Sequence, residues 1–255
     1  MQTQFVFSKD GVRIAYDITG SGPTLMLIHG AGKTRNDWHK LGYVKRLSKD
    51  FKVITVDVRG SGESDYLTDI ADYGIEKICA DLIKVADACQ AKQFAIWGYS
   101  FGGNIARYLG AWSDRPTAIA IIGISLGPAV DAEFDRYIDE FTAKYASLTR
   151  RPDEGTCQKP SRKTAIKGSV AGWVACFQAM RLWLSIEPEQ IRCPVLLVAG
   201  SKNKSAMHWI EENNNILDRV GIKVEILPEL NHPKEFTQID QVYPVVTSFF
   251  KSILS

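Results

Sequence analysis

Residues 97–103 read Trp-Gly-Tyr-Ser-Phe-Gly-Gly. They lie between a short apolar run, Gln93-Phe94-Ala95-Ile96, and a helix-like segment, Asn104-Ile105-Ala106-Arg107-Tyr108-Leu109. Few local patterns restrict a chain as much as a strand that turns through G-x-S-x-G directly into a helix. The turn is tight, so glycine is needed at 98 and 102, where a side chain would strike the neighbouring strand and helix. The same turn lifts the Ser100 hydroxyl clear of the sheet. It also leaves the Phe101 N–H near a helix start, where it can face a developing oxyanion. A serine that merely caps the helix is the plainer alternative, and the flanking sequence decides between the two.

On both sides of this stretch, short apolar runs alternate with helix-like segments. Residues 24–28, 52–56, 117–126 and 194–200 are runs of the kind buried on both faces of a parallel sheet. Residues 37–49, 75–88 and 206–220 read as helices, and 75–88 carries Ile75, Ile78, Leu82, Ile83 and Val85 at helical spacing. Residues 5–7 and 12–18 alternate around Lys9-Asp10-Gly11 and predict a β-hairpin. A strand at 223–227 and a helix at 238–253 close the chain. Repeated β-then-α units with short loops imply an α/β fold, a parallel sheet covered by helices on both faces. The repeat breaks after Gly127-Pro128. Residues 129–190 hold no buried strand, only helix-like segments around a polar middle, and read as a helical lid inserted into a core made of 1–128 and 191–255.

The 255 residues suffice for one sizeable core. A net charge of +2 gives no reason to expect nucleic acid, and no apolar run reaches the length of a bilayer span. Met1-Gln2-Thr3-Gln4 lacks the basic-then-apolar layout of a secretory signal. The five cysteines are scattered, with no C-x-x-C pair, which predicts reduced, cytoplasmic thiols rather than a disulfide framework or a zinc site. No metal, organic cofactor or membrane is expected, and oligomeric state leaves no mark on the sequence.

Three strand ends carry candidate chemistry. His29-Gly30-Ala31-Gly32 closes the run at 24–28, at the edge where open α/β sheets bind ligands. Its Ala31 N–H is a candidate second oxyanion donor, and His29 reads as a packing residue because such turns work through the backbone. In Asp57-Val58-Arg59-Gly60-Ser61-Gly62-Glu63-Ser64, Asp57 and the glycines are expected to shape a loop and Arg59 to form a structural ion pair. His232 follows the strand at 223–227, on the edge where the 97–103 turn opens. His39 and His208 fall in helix-like segments.

With these elements in order, the chain resembles the α/β-hydrolase superfamily over almost its whole length. The resemblance rests on His29-Gly30-Ala31-Gly32, the 57–64 stretch, Gly98-Tyr99-Ser100-Phe101-Gly102-Gly103 and Asn231-His232. It implies a mostly parallel, eight-stranded sheet flanked by helices, with a lid after the sixth strand. It further implies Ser100 as nucleophile, His232 as general base, and Ala31 and Phe101 as the oxyanion hole. A serine hydroxyl attacks poorly unless an imidazole removes its proton, and that imidazole can then protonate the leaving group. Serine rather than aspartate at the turn points away from the dehalogenase and epoxide-hydrolase branches.

The third member of the expected triad departs from the pattern. The family usually places an aspartate a few residues beyond the strand that here ends at Gly200, and this sequence reads Gly200-Ser201-Lys202-Asn203-Lys204. Asn203 could orient an imidazole but could not stabilise the imidazolium by charge. In a serine protease the matching Asp→Asn change cost about 10⁴ in kcat. Three readings stand open: another carboxylate, with Asp131 the nearest candidate; Asn203 itself, in an undemanding enzyme; or a site with little turnover.

Trp173, Phe177, Met180, Trp183 and Leu184 form an apolar stripe in the lid. Tyr99, Trp173 and Phe177 are the expected substrate contacts, walling a pocket for a small to medium acyl group. The basic lid middle has Lys144, Arg150, Arg151, Lys159, Arg162, Lys163 and Lys167 against Asp153 and Glu154, and reads as a solvated loop. Lys33 and Arg35, beside the oxyanion turn, are candidates to draw an anionic substrate to the mouth. The leading expectation is a cytoplasmic hydrolase of a small-molecule carboxylic ester. The alternatives are a C–C bond hydrolase or lyase on the same scaffold, and a hydrolase-like binding protein.

Overall fold

The computed structural model describes residues 2–146 and 162–254, with 162–169 described as helix backbone. The expected hairpin is β1 (Gln4–Phe7) and β2 (Arg13–Thr19), and the apolar runs become β3 (Thr24–Ile28), β4 (Lys52–Val56), β5 (Phe94–Tyr99), β6 (Pro116–Ile122), β7 (Val195–Gly200) and β8 (Lys223–Leu227). They form one eight-stranded sheet in the order β1-β2-β4-β3-β5-β6-β7-β8. The β1–β2 and β2–β4 pairs are antiparallel. Every pair from β4 to β8 is parallel. The carboxyl ends of β3, β5, β6, β7 and β8 therefore share one edge. The strand order reverses between β3 and β5, and the crevice at such a reversal is where doubly wound sheets bind ligands.

Alternation along each strand splits the core in two. Met26, Ile28, Ile96 and Ile121 pack on one face with α3 (Ile75–Ala88) and α4 (Phe101–Trp112). Leu25, Leu27, Trp97 and Val198 pack on the other with α1 (Arg35–Lys40), α2 (Tyr43–Leu47) and α9 (Ile239–Leu254). The single helix expected at 37–49 is two, because Gly42 takes a left-handed φ of 84° between α1 and α2. The run at 117–126 stops being strand at Ile122, where Gly123 turns the chain out at φ 82°.

Between β6 and β7 run α5 (Ala132–Tyr145) and α6 (Arg162–Met180). Trp173, Phe177 and Met180 of α6, with Trp183 beyond it, are built into the first core. Arg150, Arg151, Asp153, Glu154 and Lys159 lie outside the described residues, as do the side chains of Arg162, Lys163 and Lys167. Two further α-helices are α7 (Lys204–Arg219) and a single turn, α8 (Lys234–Thr237). No helix among the described residues is long and apolar enough to cross a membrane.

Buried ion pairs pin the loops that flank the site. Arg59 is held by Asp81 at 2.7 Å and Asp10 at 3.0 Å, the structural pairing expected of it. Asp57 accepts the Arg35 and Glu63 N–H groups at 2.7 and 2.9 Å and so ties together the loops after β3 and β4. Arg35, expected at the pocket mouth, is instead buried against Asp17, Asp57 and Glu63. Those carboxylates use its charge, which leaves none for a ligand.

Candidate active site

The chain passes from β5 to α4 through Ser100, whose φ of 53° and ψ of −116° lie in a region that non-glycine residues rarely occupy. The strain is held by packing. Any Cβ at Gly98 would collide with Gly102 O, and one at Gly102 would run into the Ile28 and His29 carbonyls. The Ser100 N–H donates to Ile122 O at 2.8 Å, and the Gly103 and Asn104 N–H groups close the first helical turn onto Ser100 O. The loop after β3 lies against this turn, since a Cβ at Gly30 would sit 3.3 Å from Ser100 Cβ. Among the described residues, nothing accepts the Ala31 or the Phe101 N–H.

His232 reaches the same point from the loop after β8. Its Nε2 lies 2.9 Å from Ser100 Oγ. Tyr99 fixes the ring by stacking on it at 5.2 Å between centroids and by donating its hydroxyl to His232 O at 2.8 Å. Burial, with the Glu235 charge adding, pushes the Tyr99 phenol well above its ordinary range, so it stays a donor.

The group behind the imidazole is Glu235, which sequence reasoning missed. Its Oε2 lies 3.1 Å from His232 Nδ1, and its side chain is fully buried. Pro233 opens the α8 turn, which sets positions 232 and 235 on one face. The next residue, Phe236, anchors that turn by stacking on Tyr99 at 4.6 Å and meeting Trp38 edge-on at 4.8 Å. Tyr43 donates to Phe236 O at 2.9 Å. Glu235 also accepts the Gly200 N–H at 2.6 Å and the Asn203 amide at 2.9 and 3.1 Å. Gly123 gives the pair its room: a Cβ there would stand 2.5 Å from Glu235 Oε2 and 2.9 Å from His232 Nδ1.

Asn203 therefore does not take the place expected of it beside His232. Its amide bonds Glu235 and, at 3.1 Å, Gly123 O, while its Oδ1 caps α7 by accepting the Ala206 N–H at 3.4 Å. Asp131 is not behind His232 either. It caps α5 through the Phe134 N–H at 2.7 Å and takes the Ser205 hydroxyl at 3.3 Å. The signal for Glu235 was present as His232-Pro233-Lys234-Glu235, a proline that can start a helical turn followed by a carboxylate three residues after the histidine.

A cavity of about 610 Å³ opens over Ser100 and His232. Ala31, Phe101 and Asn104 line it near the serine, and Ile124, Phe134, Tyr137, Phe177 and Met180 form its apolar wall. Tyr99 and Phe177 are on the wall, as expected. Trp173 is not: it packs edge-on against Phe101 at 5.1 Å and beside Phe177 at 5.4 Å, one layer behind. Lys33 is on the wall, its ammonium 5.0 Å above the Phe236 ring. Among the described residues no cluster of His, Cys, Asp or Glu is arranged to hold a metal. The arrangement can remove a proton from Ser100 Oγ, stabilise the imidazolium with a buried carboxylate, and offer two backbone N–H groups to an oxyanion.

The family model described as alpha/beta hydrolase fold matches residues 23–155, just over half of the chain. A curated relative, bifunctional epoxide hydrolase 2 of Sus scrofa, is 28% identical over 130 residues, which cover 49% of this chain and 22% of that protein. The chain spans only 22 to 27% of the length of the first curated relatives it matches. A thermophilic esterase from Thermogutta terrifontis superposes with a TM-score of 0.76 at 18% identity, covering 100% of both chains. An epoxide hydrolase from Vigna radiata superposes at 0.75 with 16% identity over 98% of both. At these identities the two solved structures share the fold.

Proposed function

The chain belongs to the alpha/beta hydrolase fold family, and from that premise we propose that it is a serine hydrolase cleaving carboxylic esters of small to medium acyl groups. The observation that carries this reading is the unbroken line from Ser100 Oγ to His232 Nε2 at 2.9 Å and from His232 Nδ1 to buried Glu235 at 3.1 Å. Ser100 Oγ attacks the ester carbonyl carbon as its proton passes to His232 Nε2. The oxyanion is received by the Ala31 and Phe101 N–H groups. The C–O bond then breaks, and the alcohol leaves with the proton from His232. Water attacks the acyl-serine, giving a proton to His232 that returns to Ser100 Oγ as the acid departs. Glu235 accepts from Nδ1 and so holds the imidazole in the tautomer whose Nε2 is free to accept.

The cavity of about 610 Å³ and its aromatic wall suit a small to medium apolar acyl group. The reading as a binding protein had rested on a missing carboxylate, and Glu235 removes that ground. Intact mass after fluorophosphonate treatment tests the proposal. One adduct is expected on the wild type and none on Ser100→Ala. A folded wild type that takes no adduct, or an adduct retained by Ser100→Ala, would overturn it.

A further inference from the structure

Asn104 follows Ser100 by one turn of α4, its N–H donating to Ser100 O at 3.1 Å. Ser100 and Asn104 line the same cavity, their backbones about one helical turn apart, roughly 5 Å. Asn104 is only 8% exposed. Among the described residues no protein group bonds to its carboxamide. Of the other small polar groups of the wall, Ser125 Oγ accepts the Gly127 N–H at 3.4 Å, Ser205 donates to Asp131, Asp131 caps its helix and Asn203 bonds Glu235. The apolar part of the same cavity wall includes Phe101, Ile124, Phe177 and Met180. The carboxamide therefore opens to the cavity, where an apolar chain that covers it would leave it unpaired and a bound molecule that supplies the partner avoids that cost.

We infer that Asn104 is a specificity-determining residue: its carboxamide receives a hydrogen-bonding group on the acyl chain, a few atoms from the ester carbonyl. The favoured substrates are then esters of oxo- or acylamino-acids rather than plain alkanoates. The acyl side is assigned because the leaving oxygen must face His232 Nε2, on the loop after β8, whereas Asn104 comes from α4 and shares its wall with α6. A keto oxygen would accept from the Asn104 NH₂, and an acylamino group could both accept and donate. A site built this way disfavours the chain that lacks the polar group, because the carboxamide is then left unpaired.

This inference rests on the ester-hydrolase reading. Its test compares kcat/KM for p-nitrophenyl pentanoate with p-nitrophenyl 4-oxopentanoate and the p-nitrophenyl ester of N-acetylglycine, in the wild type and in Asn104→Leu. The wild type should favour the polar esters by about tenfold or more, and Asn104→Leu should lose that preference chiefly through KM. The same ratio in both proteins, with pentanoate turned over and Ser100 labelled, would overturn the role of Asn104 and leave the hydrolase reading intact. Absence of both turnover and label would overturn the two together. Should Asn104→Leu fail to fold, Asn104→Ser removes the same carboxamide and is read in the same way.

Discussion

The loops after β3 and β8 each bring a histidine to the carboxyl edge of the sheet, and the two imidazoles meet opposite fates. His29 is fully buried, its Nδ1–H donating to Gly30 O at 2.9 Å and its Nε2 accepting the Val58 N–H at 3.2 Å. His232 keeps 42% of its side chain exposed and has a carboxylate at Nδ1 and a hydroxyl at Nε2. Both rings hold their proton on Nδ1, so the tautomer does not distinguish them. What does is the partner of Nε2: a backbone donor silences that lone pair, whereas a serine hydroxyl offers it a proton to take. Burial also holds His29 below its ordinary value of 6.5. The unfolded chain then protonates first, so the stability His29 contributes is present above about pH 6.5 and is lost as pH falls through its lowered folded value.

Breaking the Nδ1 side of His232 should have the largest effect. In Glu235→Gln, the Gly200 N–H and the Asn203 amide both require an oxygen, which turns the new NH₂ toward His232 Nδ1. The ring must then accept at Nδ1 and carry its proton on Nε2, a second silenced histidine. Ester turnover should fall by about 10⁴ in kcat with the melting temperature little changed, by analogy with an amide behind a serine-protease histidine.

A smaller effect is expected one residue further back. Asn203→Asp preserves the cap of α7 but sets a second carboxylate within hydrogen-bonding distance of Glu235, and the two repel unless they share a proton, which is lost as pH rises. At pH 8 kcat/KM should drop about 10- to 100-fold. The ratio of variant to wild type should recover as pH is lowered and the pair regains its proton. Unchanged activity at every pH would reduce Asn203 to a helix cap.

The sheet, the turn at Ser100 and His232 were legible because each is written locally: apolar runs of strand length, glycines at fixed offsets, a histidine after the last strand. Glu235 was hidden by length. The four residues of α8 are too few to show periodicity, and their anchor, Phe236, acts through Tyr43, Tyr99 and Trp38, all remote in sequence. The overrun of the strand at 117–126 has a related cause: Ile124 and Leu126 continue the apolar pattern, but Gly123 must turn to clear the Glu235–His232 pair. The aromatic stripe gave the apolar face of α6 without saying which rings meet the cavity: Phe177 lies on its wall and Trp173 one layer behind.

The most direct test of the line through Glu235 is the ¹⁵N–¹H spectrum of the imidazoles at pH 8, for the wild type and Glu235→Gln. In the wild type, both His29 and His232 should carry their proton on Nδ1, with the His232 proton shifted far downfield by the carboxylate. In Glu235→Gln that signal should vanish and a His232 Nε2 proton should replace it, while His29 is unmoved. A His232 Nδ1 proton that survives unchanged in Glu235→Gln would contradict the assignment of Glu235 as the carboxylate of the site.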